Sequence, residues 1–372
     1  MSQDVVVVGA GYSGVSAITT LERESSDIDL TWISTDAYHE VKHEIHRVIR
    51  TPSLSDGLAI PIDEIIGAGT TFRQGRVVAI HPDDRTIDLA DDEQISYDYL
   101  LVTVGARTAF YGIPGLEEHA LLLERIHDAK EIHNAINGTN APSIVVGGGG
   151  LSGVQTAGEI IEMHPNADVT VIEAMDTILP RAPETLQSVV GDRLVARGVT
   201  IEAGSPIVEA TASEVVLDGE ATVPYDILIW TGGITGQDVS HDGELELQRK
   251  RMSVDRSLQT NDAHVFACGD AAVIPQSDGV APASAQAAWQ AGPVAARNLL
   301  SKIRGDPLDT FEYTDKGTLV SIGDEAFAHD IVGIPITTFG SVPAATLKKL
   351  VAARWIADAS SYRRALSLWS SL

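Results

Sequence analysis

The feature that most constrains this chain is a plan that occurs twice. Residues 5–8 are an unbroken valine run leading into Gly9-Ala10-Gly11-Tyr12-Ser13-Gly14. Residues 144–146 lead in the same way into Gly148-Gly149-Gly150-Leu151-Ser152-Gly153. Each copy reads as a buried strand, a glycine turn and a helix. The likeness continues downstream. Residues 76–105, RVVAIHPDDRTIDLADDEQISYDYLLVTVG, and residues 206–233, PIVEATASEVVLDGEATVPYDILIWTGG, both carry short alternating strands joined by Asp/Gly turns. Both end in Tyr-Asp, an apolar strand and Thr-x-Gly. A lone G-x-G-x-x-G is weak, since such glycines can merely pack a helix on a strand. Two copies inside a matched repeat predict an α/β fold of two Rossmann-like dinucleotide-binding domains and a short C-terminal segment.

A pyrophosphate needs backbone N–H donors at close range, and the N-terminus of a helix supplies them with the positive end of its dipole. Gly9, Gly11 and Gly14 would cradle one dinucleotide, and Gly148, Gly150 and Gly153 the other. An acidic residue at the end of the second strand, about 20 residues on, is expected to read the ribose. In the second copy that residue is Glu173. Its carboxylate accepts from ribose hydroxyls and repels a 2′-phosphate, which favours NADH over NADPH. In the first copy Ser34 stands at the matching offset, with Asp36 two residues later. Either Ser34 makes a weaker contact or Asp36 reaches round; Asp36 also reads as a solvated turn residue.

The chain has 52 acidic residues against 26 basic ones, a net charge of −26. One reading is a surface that repels acidic partners and so excludes nucleic acid and anionic membrane as general partners. The acids are spread along the chain, which matches the competing reading, adaptation to high salt, as in a halophile. Cys268 is the single cysteine, so no intramolecular disulfide and no C-x-x-C pair can form. It reads as a small buried hydrophobe. With no apolar leader and no run of ~18 apolar residues, the expectation is a cytoplasmic protein.

These motifs together resemble the two-dinucleotide flavoprotein oxidoreductases. Within them the chain is most similar to type II NADH dehydrogenases and the apoptosis-inducing-factor-like NADH:quinone reductases, up to about residue 327. Residues 145–159, VVGGGGLSGVQTAGE, resemble the NADH-site signature, and residues 265–270, VFACGD, the second FAD signature. Residues 285–292, AQAAWQAG, resemble the segment beneath the flavin ring, and residues 311–323, FEYTDKGTLVSIG, the opening of the C-terminal portion. The resemblance implies FAD as cofactor and NADH as substrate. It implies an FAD domain of 1–106 plus 226–300, an inserted NADH domain of 107–225 and a C-terminal segment of 301–372, with crossings at 103–106 and 231–234. Thr103, Gly105, Gly269 and Asp270 would join the FAD site, and Gly233 the NADH site. Two departures stand out: Ser34, and residues 38–50, YHEVKHEIHRVIR, which lack the usual Phe and Pro and are closer to the apoptosis-inducing-factor-like branch.

Disulfide reductases need two neighbouring cysteines, so with Cys268 alone the electrons must leave the flavin directly for an external acceptor. Gln286 and Gln290, at i and i+4, would share a helix face and offer their amides to a quinone or the flavin edge, or simply pack the domain. Glu159 would order the nicotinamide or relay a proton, or lie on a helix surface. Lys316 would stabilise reduced flavin, or be a solvated loop lysine. His39, His43 and His46 would line one face of a polar helix near the flavin, one of them handling protons; no metal site is expected.

Residues 341–372 reverse the charge pattern, with Lys348, Lys349, Arg354, Arg363 and Arg364 against Asp358 alone. Leu347, Leu350, Val351, Trp355, Tyr362, Leu366 and Trp369 recur near helical spacing. A basic amphipathic helix predicts attachment to a membrane surface, here the inner face of the cell membrane. The alternative is docking on an acidic surface of the same chain or of a dimer partner. The expected function is an FAD-dependent NADH:quinone oxidoreductase. The alternatives are an NADH-dependent reductase of a ferredoxin-like protein carrier, and a non-catalytic NADH-sensing or assembly flavoprotein.

Overall fold

The structure, a computed structural model, describes residues 2–25, 27–241, 245–370 and 372. Two five-stranded parallel sheets share one strand order. In the first, the strands run Val265–Ala267, Tyr99–Val102, Gln3–Val8, Ile28–Ser34 and Thr70–Gln74. In the second they run Ala120–Leu122, Ile227–Trp230, Ser143–Gly147, Asp168–Glu173 and Thr200–Ala203. Val5, Val6, Val7 and Val8 are all buried, as a central parallel strand covered on both faces requires. Each sheet carries a three-stranded antiparallel meander in the same place in the chain, at Val77–His81, Thr86–Leu89 and Gln94–Ser96, and at Ile207–Ala210, Glu214–Leu217 and Thr222–Pro224.

The chain crosses between the two units along an antiparallel pair, Ala106–Thr108 against Ile234–Gly236. Ile227–Trp230 pairs with residues 144–147, inside the second sheet. The first unit therefore does not resume at 226. The repeat explains the shift: Tyr99–Val102 closes its own sheet beside the glycine-turn strand, and Ile227–Trp230 does the same in the second copy.

The C-terminal segment is a hairpin, Thr318–Ile322 with Glu325–His329, a third strand at Thr338–Gly340, and helices at Ser341–Ala359 and Tyr362–Leu368. The single amphipathic helix expected over 341–372 is broken at Ser360–Ser361, where the Ser361 hydroxyl caps the second helix by accepting from Arg364 N at 3.2 Å. The longer helix buries Ala344, Lys348, Ala352, Trp355, Ile356 and Ala359. Lys348 and Trp355, expected on a membrane-facing surface, thus point into the protein. Arg364 is also held, by Glu64 at 2.8 Å and the carbonyls of Asp56 and Ala59. These side chains found partners within the chain, so the basic apolar stripe is not one continuous face.

The helix Leu151–Met163 of the second unit packs against this hairpin through Gly158, where a Cβ would lie 2.6 Å from the Ile322 Cα. Gly158→Ala is expected to cost ~1–3 kcal/mol through overpacking that only a backbone shift can relieve. Urea denaturation of the variant checks this; an unchanged midpoint would contradict it.

Candidate functional site

The two glycine turns have one geometry. Gly9 (φ +107°) and Gly148 (φ +103°) adopt left-handed backbone, and a Cβ on Gly9 would strike the Thr103 carbonyl. A Cβ on Gly14 or Gly153 would strike the carbonyl of Gly9 or Gly148. Gly11 and Gly150 have nothing within 4 Å of that position. The outer glycines let the helices Tyr12–Glu24 and Leu151–Met163 lean on their turns, and the middle ones open to the space a pyrophosphate would fill. The Thr103 hydroxyl donates to the carbonyls of Val8 (2.8 Å) and Gly9 (3.0 Å), and the Thr231 hydroxyl to those of Gly147 (3.1 Å) and Gly148 (3.0 Å). Thr103 is therefore a clamp on the turn, its hydroxyl hydrogen already used. Gly105 (φ +72°) faces open space, whereas the Tyr111 hydroxyl stands where a Cβ of Gly233 (φ +67°) would go.

Gly269 (φ +66°) packs against Ser13 of the first helix, and Asp270 follows it. The Asp270 Oδ1 is buried and accepts no hydrogen bond. Burial pushes this carboxyl above the ordinary range, against the pull of Arg251 and Lys42. A buried acceptor left open beside the first glycine turn suits a hydroxyl-rich ligand. Cys268 is buried, its thiol pushed up to about 12 by burial.

At the ribose positions the copies differ. The Glu173 Oε2 accepts from Gly149 N at 2.7 Å and Oε1 from Met175 N at 2.9 Å, so the carboxylate is fixed at the second turn. Ser34 occupies the matching place at the end of its strand and is buried. Asp36 is partly exposed and pairs with Arg125 of the second unit. An ion pair joining residues so far apart in the chain leaves no local sign.

His39, His43 and His46 do not share a helix face. They lie on the strand Tyr38–Glu40, a 3₁₀ turn at Lys42–Glu44 and the helix His46–Arg50. Burial holds all three neutral, pushing His39 and His43 down to about 4 and His46 well below its ordinary value. Around them three parts of the chain meet. Lys348 Nζ lies 3.0 Å from Glu44 Oε1 and 3.1 Å from His46 Nε2. His46 Nε2 lies 3.1 Å from the Ser321 hydroxyl, which donates to Gln155 Oε1 at 3.2 Å. Arg50 bridges Glu159 and Asp324, at 2.7 Å each. Glu159, for which a place on a helix surface was the alternative to a catalytic role, is 0% exposed. Burial raises its pKa, and Arg50 opposes the rise without cancelling it. An open cavity of about 1100 Å³ between the helix Glu184–Ala196, the hairpin and the helix Ser341–Ala359 reaches this network at Arg47, Ser321 and Lys348. Sequence reasoning missed Arg50 and Ser321 and placed Lys348 on the outer basic stripe. For Lys348 the one local sign was the alanine-lined spacing of Ala344, Lys348 and Ala352, which marks a buried helix face.

Gln286 and Gln290 do share a face, on the helix Ala285–Arg304, but their amides are occupied. Gln286 donates to the Gly317 carbonyl (3.2 Å) and accepts from the Tyr313 hydroxyl (2.9 Å) and Lys316 N (2.8 Å). Gln290 exchanges two hydrogen bonds with the Thr314 backbone. Together they pin residues 313–317 to the helix and leave the Lys316 side chain exposed. Among the described residues, no group of three or more His, Cys, Asp or Glu side chains is placed to hold a metal ion.

Residues 3–292 match the pyridine nucleotide-disulphide oxidoreductase family. The chain belongs to that family. Curated relatives include the type II NADH:quinone oxidoreductases of Staphylococcus saprophyticus, 27% identical with 90% of each chain covered, and of Staphylococcus aureus, 27% identical with 95% of this chain and 96% of the relative covered. The fold is similar to that of NDH2 from Plasmodium falciparum solved in complex with NADH, with a TM-score of 0.86, 15% identity, and 100% and 98% of the chains covered. It is also similar to the sulfide:quinone oxidoreductase of Aquifex aeolicus, with a TM-score of 0.83, 19% identity, and 95% and 90% covered. This family member carries no pair of cysteines.

The residues present fit two dinucleotides: two turns with an open middle glycine, one carboxylate fixed at the second turn and one orphaned buried carboxylate oxygen. The charge cluster beneath them has testable energetics. Burial pushes the Glu44 carboxyl up, but Lys348, His43 and Arg47 outweigh it and hold it below the ordinary glutamate value. Lys348→Met, which leaves the buried Glu44 only the longer pair with Arg47 at 3.5 Å, is expected to cost up to ~3–5 kcal/mol, and Glu44→Gln/Lys348→Met to recover most of that. Because the folded-state value of Glu44 is lowered, its contribution is present above the unfolded value of about 4.3 and lost as pH falls through the folded one. The stability gap between wild type and Glu44→Gln, read from urea midpoints, should therefore shrink below about pH 4.

Proposed function

We propose that the chain is an FAD-dependent NADH:quinone oxidoreductase catalysing NADH + H⁺ + quinone → NAD⁺ + quinol. The observation that carries this reading is the pair of matched dinucleotide turns in a chain whose single cysteine is buried. With no thiol pair to receive electrons, the exit is to an external acceptor. The near full-length likeness to type II NADH:quinone oxidoreductases supports a quinone in that role.

Bound FAD supplies the chemistry of taking hydride from NADH and passing the electrons on. Gly9, Gly11, Gly14, Ser34, Gly105, Gly269 and Asp270 hold it, with Thr103 fixing the turn. Gly148, Gly150, Gly153, Glu173 and Gly233 hold NADH. The Glu173 carboxylate repels a 2′-phosphate and so selects NADH. Quinol formation consumes protons, and the network from Glu159 and Arg50 to Ser321 and Lys348 is the route by which they come from the open cavity. Glu159 suits that task, since burial has raised its pKa above the ordinary glutamate value. Gln286 and Gln290 act by holding residues 313–317, with Lys316, at the acceptor side.

Exposed apolar side chains at Val332, Ile334, Ile336, Val342, Leu350, Leu366 and Trp369 support peripheral attachment of the C-terminal segment to a membrane, with Lys349 and Arg363 adding charge. Among the described residues no helix is long and apolar enough to cross one. The carboxylate excess supports work at high salt, where it stays hydrated while its self-repulsion is screened. Cosedimentation with anionic-lipid vesicles should fall severalfold when Val332, Ile336 and Leu366 are changed to Ser. Equal binding by the variant would contradict the assignment.

Stopped-flow absorbance tests the reaction. NADH should bleach the flavin band, and a soluble short-chain quinone should restore it far faster than dissolved oxygen does; recovery no faster than with oxygen would defeat the proposal. Gln286→Leu should leave the NADH step nearly intact and slow the quinone step about tenfold, a loss of ~1.4 kcal/mol in transition-state stabilisation. Slowing confined to the NADH step would show that the acceptor side has been misplaced.

A further inference from the structure

We propose that Trp355 and His39 are positioning residues of the FAD turn, through which the C-terminal helix sets the direction of the Gly11 N–H. The inference rests on assigning the first glycine turn to FAD.

The Trp355 indole N–H donates to His39 Nε2 at 2.9 Å, across 316 positions of sequence. An indole N–H is a donor only, so His39 Nε2 must carry the lone pair. The imidazole hydrogen is then on Nδ1, which lies 2.7 Å from the Ala10 carbonyl and donates to it. Burial keeps this ring neutral, its pKa pushed down to about 4, so the donor–acceptor order holds throughout the ordinary pH range. Ala10 is the residue between Gly9 and Gly11. Among the described residues there are no cis peptide bonds, and in a planar trans peptide the C=O of one residue and the N–H of the next point in opposite directions. A carbonyl of Ala10 drawn toward His39 therefore turns the Gly11 N–H away from it. Gly11 is the N-cap of the helix Tyr12–Glu24, and the space beside its Cα is open. Linked hydrogen bonds also polarise one another, which strengthens the amide as a donor to an anion.

The internal repeat supplies an independent control. The carbonyl that matches Ala10 is that of Gly149, and it too is held from outside the turn, by Leu179 N at 2.7 Å. There the holder is backbone from the same unit. In the first copy a side chain does the work, and its far nitrogen is held by a helix from the end of the chain. Trp355 is 1% exposed and is also wedged against Tyr12, the first residue of the turn's helix, with ring centroids 4.7 Å apart. Trp289 packs on its other side at 4.6 Å. Helix docking and FAD binding must then favour each other reciprocally.

Trp355→Phe keeps a ring but deletes the donor; His39→Leu deletes both links. FAD affinity is read from flavin fluorescence released when the holoprotein is diluted, and NADH affinity at the second turn is measured beside it. Loss of one neutral hydrogen bond predicts three- to tenfold weaker FAD binding for Trp355→Phe, roughly the equivalent of 0.5–1.5 kcal/mol, and a larger loss for His39→Leu. NADH affinity should stay at the wild-type value in Trp355→Phe. FAD affinity equal to wild type in that variant would overturn the proposal. So would parallel losses of FAD and NADH affinity, which would make Trp355 a packing residue only. Wild-type protein that holds no FAD would instead remove the cofactor assignment, and the inference with it.

Discussion

Backbone resting directly on backbone at the two glycine turns is the contact on which the rest of the molecule depends. Any side chain on Gly9, Gly14, Gly148 or Gly153 would drive the helix off its turn or the turn off the neighbouring strand. Only with those atoms absent can a helix begin so close to the sheet that its unpaired N–H groups face a cleft at the strand ends. The Thr103 and Thr231 hydroxyls lock the carbonyls of both turns, so each cradle is preformed. Because the same solution is used twice, the two units carry matched turns, joined by the short paired crossing of Ala106–Thr108 and Ile234–Gly236.

Between the units lies a second constraint of a different kind. Glu44, Lys348, Glu159 and Arg50 are charged groups largely withdrawn from water, and a buried charge without a partner costs several kcal/mol. Each partner comes from a different part of the chain: the first unit, the second-unit helix or the C-terminal helix. The cluster therefore works as a registry device, since sliding any one element would strand a charge. Some of these side chains are also those proposed to supply protons from the open cavity.

The C-terminal segment has two faces with two tasks. Lys348 and Trp355 look inward, to the charge cluster and to the first glycine turn. Leu350, Leu366 and Trp369 look outward. Gln286 and Gln290 likewise hold residues 313–317 against their helix and leave Lys316 at the surface.

The elements legible in the chain were those governed by neighbours in sequence. Turn, strand and helix follow from glycine spacing and valine runs, because steric freedom and the alternation of apolar faces are local properties. Glu173 was legible because a fixed offset from the turn places it there. The lone Cys268 excluded a thiol route by count alone. What the sequence could not show were the partners. Asp36 found Arg125, His39 found Trp355, and Glu44 found Lys348, pairs separated by about ninety to over three hundred positions. The stripe over 341–372 carried the right spacing for an amphipathic helix, yet the spacing could not say which of its residues faces water. The tertiary structure decided that, because a buried charge or ring goes where a partner waits, and distance along the chain says nothing about distance in space.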